Sequence, residues 1–173
     1  IHGILTRKLS LKDFVETLRS SAMVCGVIMP ILAIAYFMGQ TMTYFETQKL
    51  ILTALLSITN NPVFLIAIIF IIVLIFGMFI DLVPNILILG PLLLPVAVEI
   101  GMDPNNFCIW FMFTLAFGFI TPPYGFNLFV VSSITGSSIV EISRRMAPFL
   151  IAFFITNVII VLWPGLSLWI LGK

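Results

Sequence analysis

The sequence predicts an all-α, polytopic helical membrane protein, and three observations carry that reading. Of the 173 residues, 61% are apolar and 9% charged, whereas a soluble domain is about half apolar and about a quarter charged. Apolar runs long enough to span a bilayer recur along the chain. Two further runs are interrupted by Gly, Pro and Asn rather than by blocks of charge. Eight Lys/Arg and seven Asp/Glu cannot coat a globule of this size, which excludes a soluble enzyme. The net charge of +1 gives no reason to expect a nucleic-acid partner. The single His, His2, excludes a His-based metal site or triad. Cys25 and Cys108 lie inside apolar runs and read as buried thiols, not a disulfide.

The chain begins at Ile1, and no signal peptide precedes the first polar stretch. This reads as a fragment with sequence missing upstream; a natural chain with a disordered start removed is the alternative. Ser10-Leu11-Lys12-Asp13 fits a capping box. Leu11, Phe14, Val15 and Leu18 recur at helical spacing among Lys12, Asp13, Glu16 and Arg19. The pattern predicts an amphipathic interfacial helix over 10–19. Residues 22–40 lack ionisable groups and predict a span, kinked at Pro30. Glu46, Lys49, Thr53 and Ser57 form a polar stripe opposite Leu50, Ile51, Leu55, Leu56 and Ile58, so 44–58 reads as a second interfacial helix.

Asn60-Asn61-Pro62 is a helix-start signal. Apolar arms follow on either side of a break at Gly77–Asn85, and Pro91 and Pro95 sit in the second arm. Each arm is about 15 residues, roughly 22 Å at the helical rise, short of a hydrocarbon core of about 30 Å. Residues 62–99 therefore predict a re-entrant hairpin, with two complete spans and a tight turn as the alternative. Residues 105–139 predict a helix broken at Gly118–Asn127. Residues 146–171 predict the last span, anchored near its end by Trp163 and Trp169. Arg7, Lys8, Lys12, Arg19, Arg144 and Arg145 fall on one side if the hairpin re-enters and the broken segment crosses once. The positive-inside rule makes that side cytoplasmic.

The two breaks carry the chemistry. Proline lacks an N–H and clashes with the carbonyl four residues back. Pro122 thus releases the carbonyl of Gly118, Pro123 that of Phe119, and Pro84 that of Ile80. Thr121, preceding a proline, is pushed from the α region, and Gly125 permits a positive φ where helix resumes. Unwound backbone at membrane depth survives only when buried in protein or lining a watery cavity. Asp81 is the single acid deep in an apolar run, a position functional by default; a helix cap at a hairpin tip is its other reading. Oxygen ligands without thiolate or imidazole suit a hard cation. Broken helices from two elements meeting mid-membrane are the pattern of secondary transporters.

Gly77-Met78-Phe79-Ile80-Asp81, Pro91 and Pro95, Gly101-Met102-Asp103-Pro104, and Gly118-Phe119-Ile120-Thr121-Pro122-Pro123-Tyr124-Gly125 with Leu128-Phe129 together resemble the large permease (M, or DctM-type) subunit of tripartite ATP-independent periplasmic (TRAP) transporters. Pro148-Phe149 and Trp163-Pro164-Gly165-Leu166-Ser167-Leu168-Trp169 fit that family's C-terminus. The resemblance covers nearly the whole chain but only the C-terminal repeat of the family. It implies a Na⁺-coupled, elevator-type importer of organic acids, multi-pass in the bacterial inner membrane. It implies an inverted-repeat fold of the ion-transporter-superfamily kind. The implied partners are a small permease (Q) subunit, a periplasmic substrate-binding protein (P), the missing N-terminal half of the permease and the lipid bilayer. No organic cofactor is implied.

In family terms, the carbonyls of Gly77, Gly118 and Tyr124, with Thr121, would build one Na⁺ site. Asp81, Pro122, Pro123, Gly125 and Asn127 would support it or face substrate. Tyr124 stands where the family more often has a small aliphatic residue. An intramembrane aspartyl protease would need a second embedded aspartate, and Asp13 and Asp103 lie in polar flanks. A structural or assembly subunit would not need two unwound motifs. The substrate is left open among sialic acid, C4-dicarboxylates, sugar acids and 2-oxo acids.

Overall fold

The computed structural model describes residues 11–169, and every regular element among them is helical. They run α1 (Leu11–Tyr44), α2 (Thr47–Ile58), α3 (Pro62–Phe79), α4 (Leu82–Glu99), α5 (Pro104–Phe119), α6 (Phe126–Thr135), α7 (Ile139–Leu162) and α8 (Pro164–Leu168). Four of them, α1, α3, α4 and α7, are long and apolar enough to cross a membrane. Ser10 of the expected capping box, the basic pair Arg7 and Lys8, and residues 170–171 lie outside the described residues. The expected 146–171 span ends at Leu162, where Trp163 separates α7 from α8 because Pro164 starts a new helix.

The helix starts follow from local chemistry. Pro62, Pro104 and Pro164 each occupy the first turn, where a missing N–H costs nothing. Asn61 accepts from the Val63 N–H at 3.0 Å. Asp103 accepts from the N–H groups of Asn105 and Asn106 at 2.8 and 3.2 Å. Ser138 accepts from the Glu141 N–H and starts α7. α7 therefore begins seven residues before the expected 146, and Arg144 and Arg145 lie inside it. Arg145 pairs with Glu141 one turn back at 2.8 Å.

Other boundaries also differ from the pattern-based reading. Segments 10–19 and 22–40 join in one 34-residue helix, α1; amphipathic and apolar stretches share the same backbone geometry, and no breaker separates them. α1 also continues through Pro30, as α4 continues through Pro91 and Pro95. The hairpin arms are 18 residues each, roughly 27 Å at the helical rise. Only Ile80 and Asp81 lie outside them, so the Gly77–Asn85 break shrinks to two residues. Gly77 keeps helical hydrogen bonding, and Pro84 falls in the first turn of α4, where its missing N–H is not needed.

α5 lies at the centre, packed against α3, α4, α7 and α8. The buried face of α3 is Leu65, Ile69 and Val73, spaced four residues apart. It meets Phe107, Trp110, Phe111 and Leu115 of α5 and Leu89, Leu93, Val96 and Ala97 of α4. In lipid, such contacts gain from close packing rather than from leaving water. Exposed apolar side chains cover the outer faces of α1, α3 and α7, as a lipid-facing surface requires. Cys25 and Cys108 are free thiols as expected, but both are exposed rather than buried. An apolar run in a membrane helix faces lipid as readily as protein, so apolar neighbours do not imply burial.

Candidate functional site

The first break is a two-residue link from α3 to α4. The Ile80 N–H still donates to the Phe76 carbonyl at 2.9 Å, closing α3. Asp81 Oδ1 accepts from the Leu82 N–H at 2.8 Å. The Asp81 side chain is exposed, in the geometry of a helix cap. The carbonyl of Ile80, which Pro84 cannot serve, is met by the side chain of Asn85. Asn85 Nδ2 donates to Ile80 O at 2.9 Å and to Phe76 O at 3.1 Å, and Asn85 is 1% exposed. One buried amide thus satisfies the hairpin turn. Asn85 was visible in the sequence only as the residue after Pro84; its role depends on the turn bringing Phe76 and Ile80 to one side chain.

The second break runs between Phe119 and Phe126. The Thr121 N–H donates to the Gly118 carbonyl at 3.0 Å. A tighter turn thereby replaces the bond that Pro122 removes. Thr121 Oγ1 donates to Phe117 O at 2.6 Å, leaving the hydroxyl oxygen its acceptor lone pairs. The Pro122–Pro123 peptide is cis. The Gly125 N–H donates to Thr121 O at 3.0 Å, and the Leu128 N–H to Gly125 O at 2.8 Å. Gly125 has φ −25°, so the expected positive φ does not occur. Glycine is needed there for space: a Cβ would stand 2.9 Å from Phe119 O, Thr121 N and Thr121 O.

The two breaks meet. A Cβ on Gly118 would lie 2.8 Å from the Gly77 carbonyl carbon and from Leu74 O, and 2.9 Å from Gly77 Cα. A Cβ on Gly77 would lie 3.0 Å from Leu115 O. α3 and α5 therefore cross backbone to backbone at a glycine pair, with no side chain between them. Beyond the crossing, the rings of Phe79 and Tyr124 lie 4.6 Å apart, tilted by 38°. They line a cavity of about 140 Å³ with Met78, Ile80, Asp81 and Phe129. The structure thus brings together Gly77, Gly118, Thr121, Tyr124 and Asp81. Pro122 is half-buried and Gly125 buried in the same turn, Pro123 is exposed, and Asn127 is exposed and away from the cavity.

Apart from the Met78 thioether, the candidate ligand atoms in this region are oxygens of carbonyl, hydroxyl or carboxylate groups. Among the described residues no three His, Cys, Asp or Glu side chains cluster as a metal site. A hard cation that binds backbone and hydroxyl oxygen fits this donor chemistry.

Residues 1–166 match the family described as the tripartite ATP-independent periplasmic transporter, DctM component. The chain belongs to this TRAP permease family. It is 32% identical, over 96% of its length, to the isethionate TRAP transporter permease protein DctMQ of Oleidesulfovibrio alaskensis. It is 28% identical over 95% of its length to the sialic acid TRAP transporter large permease protein SiaM of Vibrio cholerae. It is 29% identical over 94% of its length to the 2,3-diketo-L-gulonate TRAP transporter large permease protein YiaN of Escherichia coli. The chain spans 26%, 39% and 38% of those three relatives. The TRAP permeases are transporters rather than enzymes, and the four apolar helices agree with a multi-pass membrane protein.

Proposed function

We propose that the chain is the C-terminal repeat of a TRAP large permease and carries one Na⁺ site of a Na⁺-coupled importer of organic acids. The observation that carries this reading is the backbone crossing of Gly77 and Gly118, which sets the ends of α3 and α5 together beside two polar helix breaks. In this reading the carbonyls of Gly77, Gly118 and Tyr124 and the Thr121 hydroxyl hold the ion, and Asp81 caps the hairpin beside them. α3 and α4, each long enough to cross, form a re-entrant hairpin on the strength of the family resemblance and not of their length. α5 and α6 form the broken helix, and the N-terminal end of α1 and α2 lie at the interface. The upstream half of the permease supplies the second repeat. The site moves through the bacterial inner membrane by an elevator motion. A small permease subunit and a periplasmic binding protein complete the system.

The relatives are named for isethionate, sialic acid and 2,3-diketo-L-gulonate. All three are organic anions at neutral pH, which supports an acidic substrate. The test is thermal unfolding of the complete permease in NaCl against KCl at equal ionic strength. Na⁺ is expected to raise the midpoint where K⁺ does not, because a ligand that binds only the folded state stabilises it. Equal response to the two salts would remove the Na⁺ site.

A further inference from the structure

The core holds a polar cluster that the ion site does not use. The Trp110 Nε1–H donates to Asn157 Oδ1 at 2.6 Å, and Asn157 Nδ2 donates to Thr114 Oγ1 at 2.8 Å. The Thr114 hydroxyl in turn donates to the Trp110 carbonyl at 2.8 Å. All three side chains are at most 2% exposed. Asn157 belongs to α7, and Trp110 and Thr114 lie one turn apart on α5. A single amide therefore grips two successive turns of the central helix, and each of its two gripping atoms has a fixed counterpart.

The next turn of α5 after Trp110 and Thr114 ends at Gly118, four residues on. Gly118 is where α5 meets Gly77 of α3. At the glycines themselves there are no side chains to interdigitate, so α3 holds α5 through apolar packing beside the crossing, with Phe70 against Trp110 and Phe117. One turn before Asn157 on α7, Phe153 stacks on Phe113 and Phe117 of α5, so rings and amide share the α5–α7 contact. Ring pairs accept a range of offset and edge-to-face geometries, whereas breaking either Asn157 bond would strand a polar group in a buried site.

We propose that Asn157 is a positioning residue for the ion site: through Trp110 and Thr114 it sets the height and rotation of α5, and so the placement of the Gly118 carbonyl against Gly77. This rests on the reading of Gly118 as a Na⁺ ligand. Partners outside the ligand shell that orient a ligand commonly change metal affinity by about 10–100-fold when lost.

The experiment measures the Na⁺ concentration that gives half of the Na⁺-induced rise in thermal midpoint, in the complete permease. Three variants are compared with the unmodified protein. Thr114→Val removes one of the two grips with little change of shape. Asn157→Leu removes both and leaves the Trp110 N–H unpaired. The triple variant Trp110→Phe, Thr114→Val, Asn157→Leu removes the grips and also the polar groups that would be stranded. The expected result is weaker Na⁺ dependence in all three, about ten-fold in the triple variant. The Na⁺-free midpoint should drop in Asn157→Leu and recover in the triple variant. A purely structural role would restore Na⁺ dependence along with the midpoint, and that outcome would overturn the proposal. Unchanged Na⁺ dependence in Thr114→Val would overturn it as well, even if the other two variants fail to fold. If the unmodified permease shows no Na⁺-specific stabilisation, the ion site itself is wrong and the positioning role falls with it.

Discussion

Gly118 is the residue at which one added methyl group meets backbone on every near side. Its Cβ would stand 2.8 Å from Leu74 O and from the Gly77 carbonyl carbon, and neither atom can swing aside as a side chain would. Gly118→Ala is expected to destabilise the complete permease by about 1–3 kcal/mol, the usual cost of overpacking, and to weaken Na⁺-induced stabilisation. Gly26, within α1, has open space around it. Gly26→Ala is expected to be neutral or to stabilise by up to about 1 kcal/mol, since Ala is the better helix former. Denaturation midpoints of the two variants give the comparison, and equal effects would refute the backbone crossing. Thr121 tests the ion more directly. Its hydroxyl donates to Phe117 O, so Thr121→Val removes both that bond and a candidate ligand oxygen. Half-saturating Na⁺ is expected to rise roughly ten-fold, as for loss of one charge-assisted contact. An unchanged value in a folded variant would take Thr121 out of the site.

At the scale of elements, the hairpin turn depends on one amide. Asn85→Leu would leave the Ile80 carbonyl, which Asn85 Nδ2 now meets at 2.9 Å, without its donor. The expected cost is about 1–3 kcal/mol for a buried group left unmet, read as a lower thermal midpoint. Asn85→Leu unfolding at the parental midpoint would show that the amide is dispensable. The same turn explains what the sequence made legible. Gly77, Pro84 and Asp81 marked the place of the turn because each constrains backbone locally. The two-residue length of the link did not follow from them, since it depends on Pro84 landing within the first turn of α4. Asn85 was missed as a structural group because its two acceptors, Phe76 O and Ile80 O, lie nine and five residues back across a reversal. Trp110, Thr114 and Asn157 were missed for a related reason: their bonds span 43 and 47 residues. The burial of the two cysteines was misjudged because hydropathy does not distinguish lipid from protein as the apolar neighbour.

For the whole molecule, the distribution of basic residues orders the two sides of the membrane. By the positive-inside rule the start of α7, with Arg144 and Arg145, is expected in the cytoplasm and the turn before α5 outside. Both native thiols are exposed, so labelling requires a background with Cys25→Ala and Cys108→Ala. In that background, Asn105→Cys is expected to react with a membrane-impermeant maleimide added from the periplasm, and Val140→Cys is not. Labelling at position 140 from that side would reverse the orientation. α1 adds a mechanical property to this arrangement. Among its described residues only Ala35 and Gly39 are buried, and Gly39 lies directly against the Leu87 carbonyl of α4. The helix from Leu11 to Gly39 spans roughly 42 Å at the helical rise, more than a hydrocarbon core of about 30 Å. The charged end of α1, with Lys12, Asp13, Glu16 and Arg19, is therefore the tip of a long lever with its fulcrum near Gly39, and Pro30, which removes one rung of the helix ladder, is where that lever bends most easily. A rocking of about 10° at the fulcrum swings that tip by about 7 Å over the same length of helix, so a small rotation deep in the bilayer becomes a displacement at its surface about as wide as a side chain is long.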